Sequence, residues 1–286
     1  MWIILAMGSA FFAGLTAILA KCGVKNADSN VVTALRTIVV LIFSWLMVFI
    51  VGSQGEMRSI DTKTLGFLVL SGLATGGSWL CYFKALQLGD VNKVTPIDKS
   101  STILSMVFAF LLLGETVTLI KLMAMVLIGS GTYMMIQKQK ETLEKGQNKS
   151  WLVFAWGSAL FASLTSILGK IGIQNIDATL GTAIRTIVVL IMAWCVVVMT
   201  RKQSAIKSID RGSWLFIILS GMTTGGSWLC YYQALQLGPA SVVVPIDKLS
   251  ILVTIGFSSI VLHEKLSRKS FWGLMLLVIG TLTLLC

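Results

Sequence analysis

Ser71 to Gly89 reads SGLATGGSWLCYFKALQLG, and Ser220 to Gly238 reads SGMTTGGSWLCYYQALQLG. They are one segment written twice, 149 residues apart. Outward from it the register never slips: Trp2 meets Trp151, Lys21 meets Lys170, Arg36 meets Arg185, Pro96 meets Pro245 and Glu115 meets Glu264. Roughly four positions in ten are identical along that offset, which marks a duplicated module of the whole chain.

The 286 residues are 56% hydrophobic and only 12% charged, with a mean hydropathy of +0.87. Soluble domains carry about a quarter charged residues, so the chain reads as an integral membrane protein. Barrel strands would alternate apolar with polar. The apolar runs here are continuous and rich in Leu, Ile, Val, Ala and Gly, so the spans are helical. In the first copy they run approximately 2–20, 31–51, 65–83, 94–113 and 119–136, and in the second 151–169, 180–200, 213–232, 242–262 and 270–286. QKQKETLEKGQNKS, Gln137 to Ser150, is polar and flexible enough to join the copies. The expected organisation is a first repeat over 1–136, a linker over 137–150 and a second repeat over 151–286. An odd span count turns the second copy over in the bilayer. The expected fold is all-α: ten transmembrane helices as two inverted five-helix repeats.

A net charge of +11 does not point to nucleic acid, because no basic face is interleaved with stacking aromatics. Most basic residues fall in short loops, where they set topology and meet lipid head groups. Fourteen loop lysines and arginines share the side of the linker, against Arg58, Lys63 and Lys121 on the side of the termini. Basic loops stay in the cytoplasm, which puts the linker inside and both termini outside. The five cysteines form no CxxC pair and His263 is alone, so neither metal nor cofactor is expected. The first span lacks a basic flank and recurs internally from Trp151, so it is read as retained.

Small residues in the first span (Gly8, Ser9, Ala13, Gly14, Ala17) and the sixth (Gly157, Ser158, Ala162, Ser163) read as packing surfaces. The charged residues are harder to place. Arg36 falls about 8–10 Å into the second span at 1.5 Å per residue. Asp98 and Lys99 lie similarly deep in the fourth, and Lys21 closes the first; the second copy repeats them as Lys170, Arg185, Asp247 and Lys248. Each costs about 2.5–3.5 kcal/mol or more in lipid, so each should face a cavity or a partner. An Arg36–Asp98 fork is the natural pair, leaving two lysines per cluster to favour a carboxylate or phosphate. The alternatives are a gate, a structural clamp, or lysines that snorkel to the surface.

In the third span, Gly76 and Gly77 weaken the helix and admit a close neighbour. Ser78, Trp79 and Tyr82 follow, matched by Ser227, Trp228 and Tyr231. Polar-tipped aromatics suit a substrate cavity; an interfacial belt is the competing reading. Pro96 and Pro245 sit in first turns, where proline is tolerated.

With these features together, the chain resembles the drug/metabolite transporter superfamily, and within it the EamA family of ten-span proteins. The resemblance rests on the duplicated five-span pattern, on Leu113-Gly114-Glu115 closing span four, and on IGSGTYMM ending span five. The second copy departs with Leu262-His263-Glu264. It implies alternating access through a central cavity formed by spans one to four of each half, and small-metabolite substrates. It also implies cytoplasmic termini, against the loop count. Spans one and six hold no carboxylate, so the proton-coupled cation export of small multidrug relatives has no support here. The expected function is a secondary active transporter for a small organic metabolite, amphipathic or acidic, in the cytoplasmic (inner) membrane of a prokaryote. The alternative is a flippase for a lipid-linked sugar or phospholipid. No HExxH or GxSxG occurs, so an enzyme is not expected. The expected partners are the substrate, the bilayer and a coupling proton or ion, for a monomer or homodimer.

Overall fold

A computed structural model describes residues 1–23, 28–88, 94, 97–135, 150–261 and 267–285. Every regular element among them is helical. In chain order these are α1 (Trp2–Gly23), α2 (Ser29–Val51), α3 (Thr62–Leu88), α4 (Ser101–Leu113), α5 (Leu119–Met135), α6 (Ser150–Gly172), α7 (Ala178–Met199), α8 (Arg211–Leu237), α9 (Ala240–Asp247), α10 (Ser250–Val261) and α11 (Arg268–Thr283). Short 3₁₀ turns, Ser53–Arg58 and Gln203–Ser208, follow α2 and α7. The linker over 137–149, Pro96 and Leu262-His263-Glu264 lie outside the described residues.

Six apolar segments among the described residues are long enough to cross a membrane: Trp2–Ala20, Ser29–Val51, Thr62–Leu86, Ser150–Gly172, Ala178–Met199 and Ala240–Phe257. The other four expected spans are α4, α5, α8 and α11. Of these, α5 is apolar but only 17 residues long. Large apolar side chains such as Ile42, Phe49, Val126 and Trp272 stand exposed on the helices, as a lipid-facing surface requires.

Local chemistry sets the helix starts. Asp28 accepts from the amides of Asn30 (3.0 Å) and Val31 (3.4 Å) and caps α2. Its counterpart Asp177 accepts from Thr179 (2.9 Å) and Leu180 (3.3 Å) and caps α7. Such a cap contributes about 1 kcal/mol. Asp61 and Asp210 do the same for α3 and α8, through the amides of Thr64 (2.9 Å) and Ser213 (3.1 Å). Hydrogen bonds from those two side chains and amides hold both carboxyls below the usual range. At the other end, α4 stops on Gly114, whose φ of 66° is the left-handed turn that glycine permits.

Span nine is broken. Pro245 sits inside α9, with no amide to give to the preceding turn. The chain then tightens: Leu249 N bonds Ile246 O at 2.9 Å, and Leu252 N bonds Leu249 O at 2.8 Å, both one residue short of α-helical spacing. Pro245, whose place near the start of span nine allowed a break without requiring one, therefore lies just before a real break, and Asp247 is the last residue of the half-helix.

The chain forms two compact units, and each draws on both copies: residues 1–73, 168–238 and 246–263 in one, 74–167, 239–245 and 264–286 in the other. In the first unit α1 lies along α8 and α10, while α2 packs on α8 and on its own counterpart α7. Val48, Leu180 and Ala183 form a buried core there, with Trp45, Ile60 and Ile184 against it. In the second unit α5 packs on its counterpart α11. A Cβ on Gly131 would lie 2.6 Å from the Gly273 carbonyl oxygen, and one on Gly273 would lie 2.7 Å from the Gly131 carbonyl oxygen. Only two glycines allow backbones that close.

Candidate functional site

In the first unit, hydroxyls join α1 to α8. Thr16 Oγ1 lies 2.9 Å from Thr223 Oγ1 and 3.4 Å from Thr224 Oγ1. Two turns earlier, Ser9 Oγ lies 3.3 Å from Ser227 Oγ, and Ser227 donates to the Ser9 carbonyl at 3.1 Å. Seven residues is about two helical turns, so both contacts fall on one face. Ser9 also donates to Asp247 Oδ1 at 2.6 Å. Lys248 Nζ lies 3.7 Å from Asp247 Oδ2. The short hydroxyl–carboxylate bond is charge-assisted, and it gives an intramembrane carboxylate the partner it needs.

The second unit repeats the pattern at the same offset. Ser158 donates to Asp98 Oδ1 at 2.7 Å, Ser78 Oγ lies 3.3 Å from Ser158 Oγ, and Thr75 Oγ1 lies 3.3 Å from Thr165 Oγ1. Lys99 Nζ is 3.9 Å from Asp98 Oδ2. Each aspartate is therefore bound by the first span of the other copy. Arg36 and Asp98, expected to form a fork, belong to different units; within its own unit Asp98 accepts from Ser158 and lies beside Lys99. Of the paired glycines, Gly225 is the crowded one, since its Cβ would lie 2.5 Å from the Phe43 ring; a Cβ on Gly77 or Gly226 would meet Phe161 or Phe12 at 3.4 and 3.6 Å, in ordinary contact.

Arg185 is 1% exposed, the largest fully buried side chain among the described residues. Its guanidinium stands 4.6 Å from the Tyr232 ring centre and 5.1 Å from that of Trp228, and its Nε is 3.4 Å from Ser71 Oγ. Tyr231 meets Tyr232 edge to face at 5.3 Å. Stacking a desolvated guanidinium on such faces contributes about 2 kcal/mol, and its flat, weakly hydrated form suits the setting better than lysine. Lys170 Nζ donates to the Gly238 carbonyl at 2.6 Å.

Of the residues singled out from sequence, the first unit holds Lys170, Arg185, Ser227, Trp228, Tyr231, Asp247, Lys248, a half-buried Arg36 and Lys21 at the end of α1. The second holds Ser78, Trp79, Tyr82, Asp98 and Lys99. Tyr82 packs with the buried group Ala85, Val94 and Ala155. Sequence reasoning overlooked Ser71 and Tyr232, and it took Ser9 and Ser158 for packing residues only. A findable signal existed: a carboxylate in lipid demands donors, and a serine recurs at one register in both first spans.

The geometry can be set beside known proteins. A family model described as "EamA-like transporter family" matches residues 1–137 and again 149–286. The chain is 39% identical over 137 residues to "Uncharacterized transporter in cobO 3'region" of Sinorhizobium sp. That match covers 48% of this chain and 97% of the relative, which is thus about one copy long. It is also 30% identical over 90 residues to "Uncharacterized protein MJ1333.1" of Methanocaldococcus jannaschii, covering 32% of this chain and 65% of that one. A solved structure described only as "Crystal structure of protein" aligns with a TM-score of 0.81 over 99% of this chain and 97% of its own, at 14% identity. At that identity the likeness is one of fold alone.

Proposed function

The chain belongs to the EamA-like transporter family, and on that premise we propose that this membrane transporter is a secondary active carrier working by alternating access. Its cargo is a small organic metabolite bearing a carboxylate or phosphate. We read the chain as ten spans in two copies of opposite orientation, with the linker on the cytoplasmic side of a prokaryotic inner membrane. The odd span count of each copy and the loop charges support that reading.

The observation that carries the cargo class is Arg185, a guanidinium only 1% exposed and set against the Tyr232 and Trp228 rings. The same unit also contains Lys21, Arg36, Lys170, Lys248 and Asp247. The planar fork of a guanidinium matches a carboxylate or phosphate. Trp228 and Tyr231 supply apolar faces for the rest of an amphipathic cargo. Ser78 and Ser227 serve the seam with Ser158 and Ser9, and through it they position Asp98 and Asp247. Those two carboxylates are the groups to which a coupling proton or ion would bind.

A thermal-shift screen of the purified protein against organic acids, amino acids, nucleosides and polyamines tests the cargo class. Organic acids or acidic amino acids should raise the melting midpoint, and Arg185→Lys should remove most of that rise. Stabilisation by polyamines alone would sink the acidic-cargo reading.

A further inference from the structure

Four helices here bring their own caps. The aspartates Asp28, Asp61, Asp177 and Asp210 stand just before α2, α3, α7 and α8 and take their first amides. α9 cannot do this. It follows Pro239, whose side chain has no acceptor. The opening amides of a buried helix still require partners, and Ala240 and Ser241 are both fully buried.

They find their partner on Glu115. One carboxylate oxygen accepts from Ala240 N at 2.5 Å, and the other from Ser241 N at 3.0 Å and from the Ser241 hydroxyl. Glu115 stands just beyond the Gly114 turn that ends α4, and its own amide bonds back to Ala109 O at 3.2 Å. The end of span four in the first copy therefore caps the start of the matching span in the second. A negative group is well placed there, against the positive end of the helix dipole.

A cap borrowed across copies can be withdrawn, whereas Asp28 always travels with α2. We propose that Glu115 is a gate latch: a positioning residue that holds the two fourth spans together at one face and must leave α9 before that face opens. The proposal rests on the alternating-access reading and adds to it a named gating contact. α9 runs from this cap to Asp247 and the break, so loosening its first turn disturbs the segment that Ser9 holds.

The test uses the full chain in sealed membrane vesicles, with native cysteines replaced and Ala240→Cys as reporter. A membrane-impermeant maleimide reports whether position 240 is reached from each side. Glu115→Gln should raise the labelling rate several-fold from one side. Ser241→Ala, which removes one of the three bonds, should raise it less, and Asp210→Asn, which alters a local cap, should not raise it. Equal labelling with and without Glu115, slow or fast, overturns the latch. If Glu115→Gln aggregates on size exclusion, Ser241→Ala decides alone: a rise supports the latch and no rise overturns it. A parent protein open to both sides at once, so that it leaks the impermeant maleimide into the vesicle lumen, sinks alternating access itself, whereas a tight parent with unchanged labelling at 240 sinks only the latch.

Discussion

Ser9 and Ser158 each do two jobs with one small side chain. As small side chains they let α1 and α6 approach their neighbours, and as donors they satisfy Asp247 and Asp98 at 2.6 and 2.7 Å. Removing the hydroxyl leaves a partly buried carboxylate short of a donor, and bonds to charged groups contribute about 1.5–3 kcal/mol. Ser9→Ala and Ser158→Ala should each lower stability by about 1.5–3 kcal/mol, read as a fall in the melting midpoint of the purified protein. In the background of Asp247→Asn the Ser9→Ala cost should shrink, because the charge is gone; full additivity of the two changes would show that the bond carries nothing. From sequence the aspartates stood out at once as charges in lipid. The serines did not, because a serine in a small-residue stripe satisfies packing so well that its hydroxyl passes unnoticed.

At the scale of elements, the close crossing of α5 and α11 is the contact most open to a single substitution. Gly131→Val places atoms where the Gly273 carbonyl and the Leu277 amide already stand, 2.6 Å from the new Cβ. Backbone cannot yield as a side chain can, and overpacking of this kind costs about 1–3 kcal/mol. Gly66→Ala, in α3 with nothing within 4 Å of the added carbon, should leave the midpoint level or slightly raised. Comparing the two by thermal unfolding in detergent separates crowding from a general intolerance of change. Most helices were legible because apolar length and composition decide a span in lipid whatever its neighbours do. The break after Asp247 was less so: Pro245 is visible in sequence, but a proline in a first turn and one near the end of a half-helix differ only once the helix start is known. The caps at Asp28, Asp61, Asp177 and Asp210 were legible in principle, each an acid just before an apolar run.

For the whole molecule, the duplication was legible and the interleaving was not. A repeat in sequence invites a picture of two bodies joined by a linker, whereas each compact unit takes elements from both copies. Helical pairing depends on which faces meet, and an offset of 149 carries no information about that. The opposed orientation of the copies is open to direct measurement. Cysteines placed at Lys21 and Lys170, one at the end of each first span, should react with impermeant reagent from opposite compartments. Labelling of both from one compartment would end the inverted reading, and the alternating-access proposal with it.

The seams in which a serine of one copy binds an aspartate of the other have a consequence for how such a chain can change. A lone copy that associated with its twin would carry every substitution into both seams at once, and the two sites would stay identical. Fusion into one polypeptide releases them. Beneath the Arg185 guanidinium the chain has Tyr232, where the matching position, 83, is phenylalanine. One half can thus specialise in what it holds while the other stays unchanged.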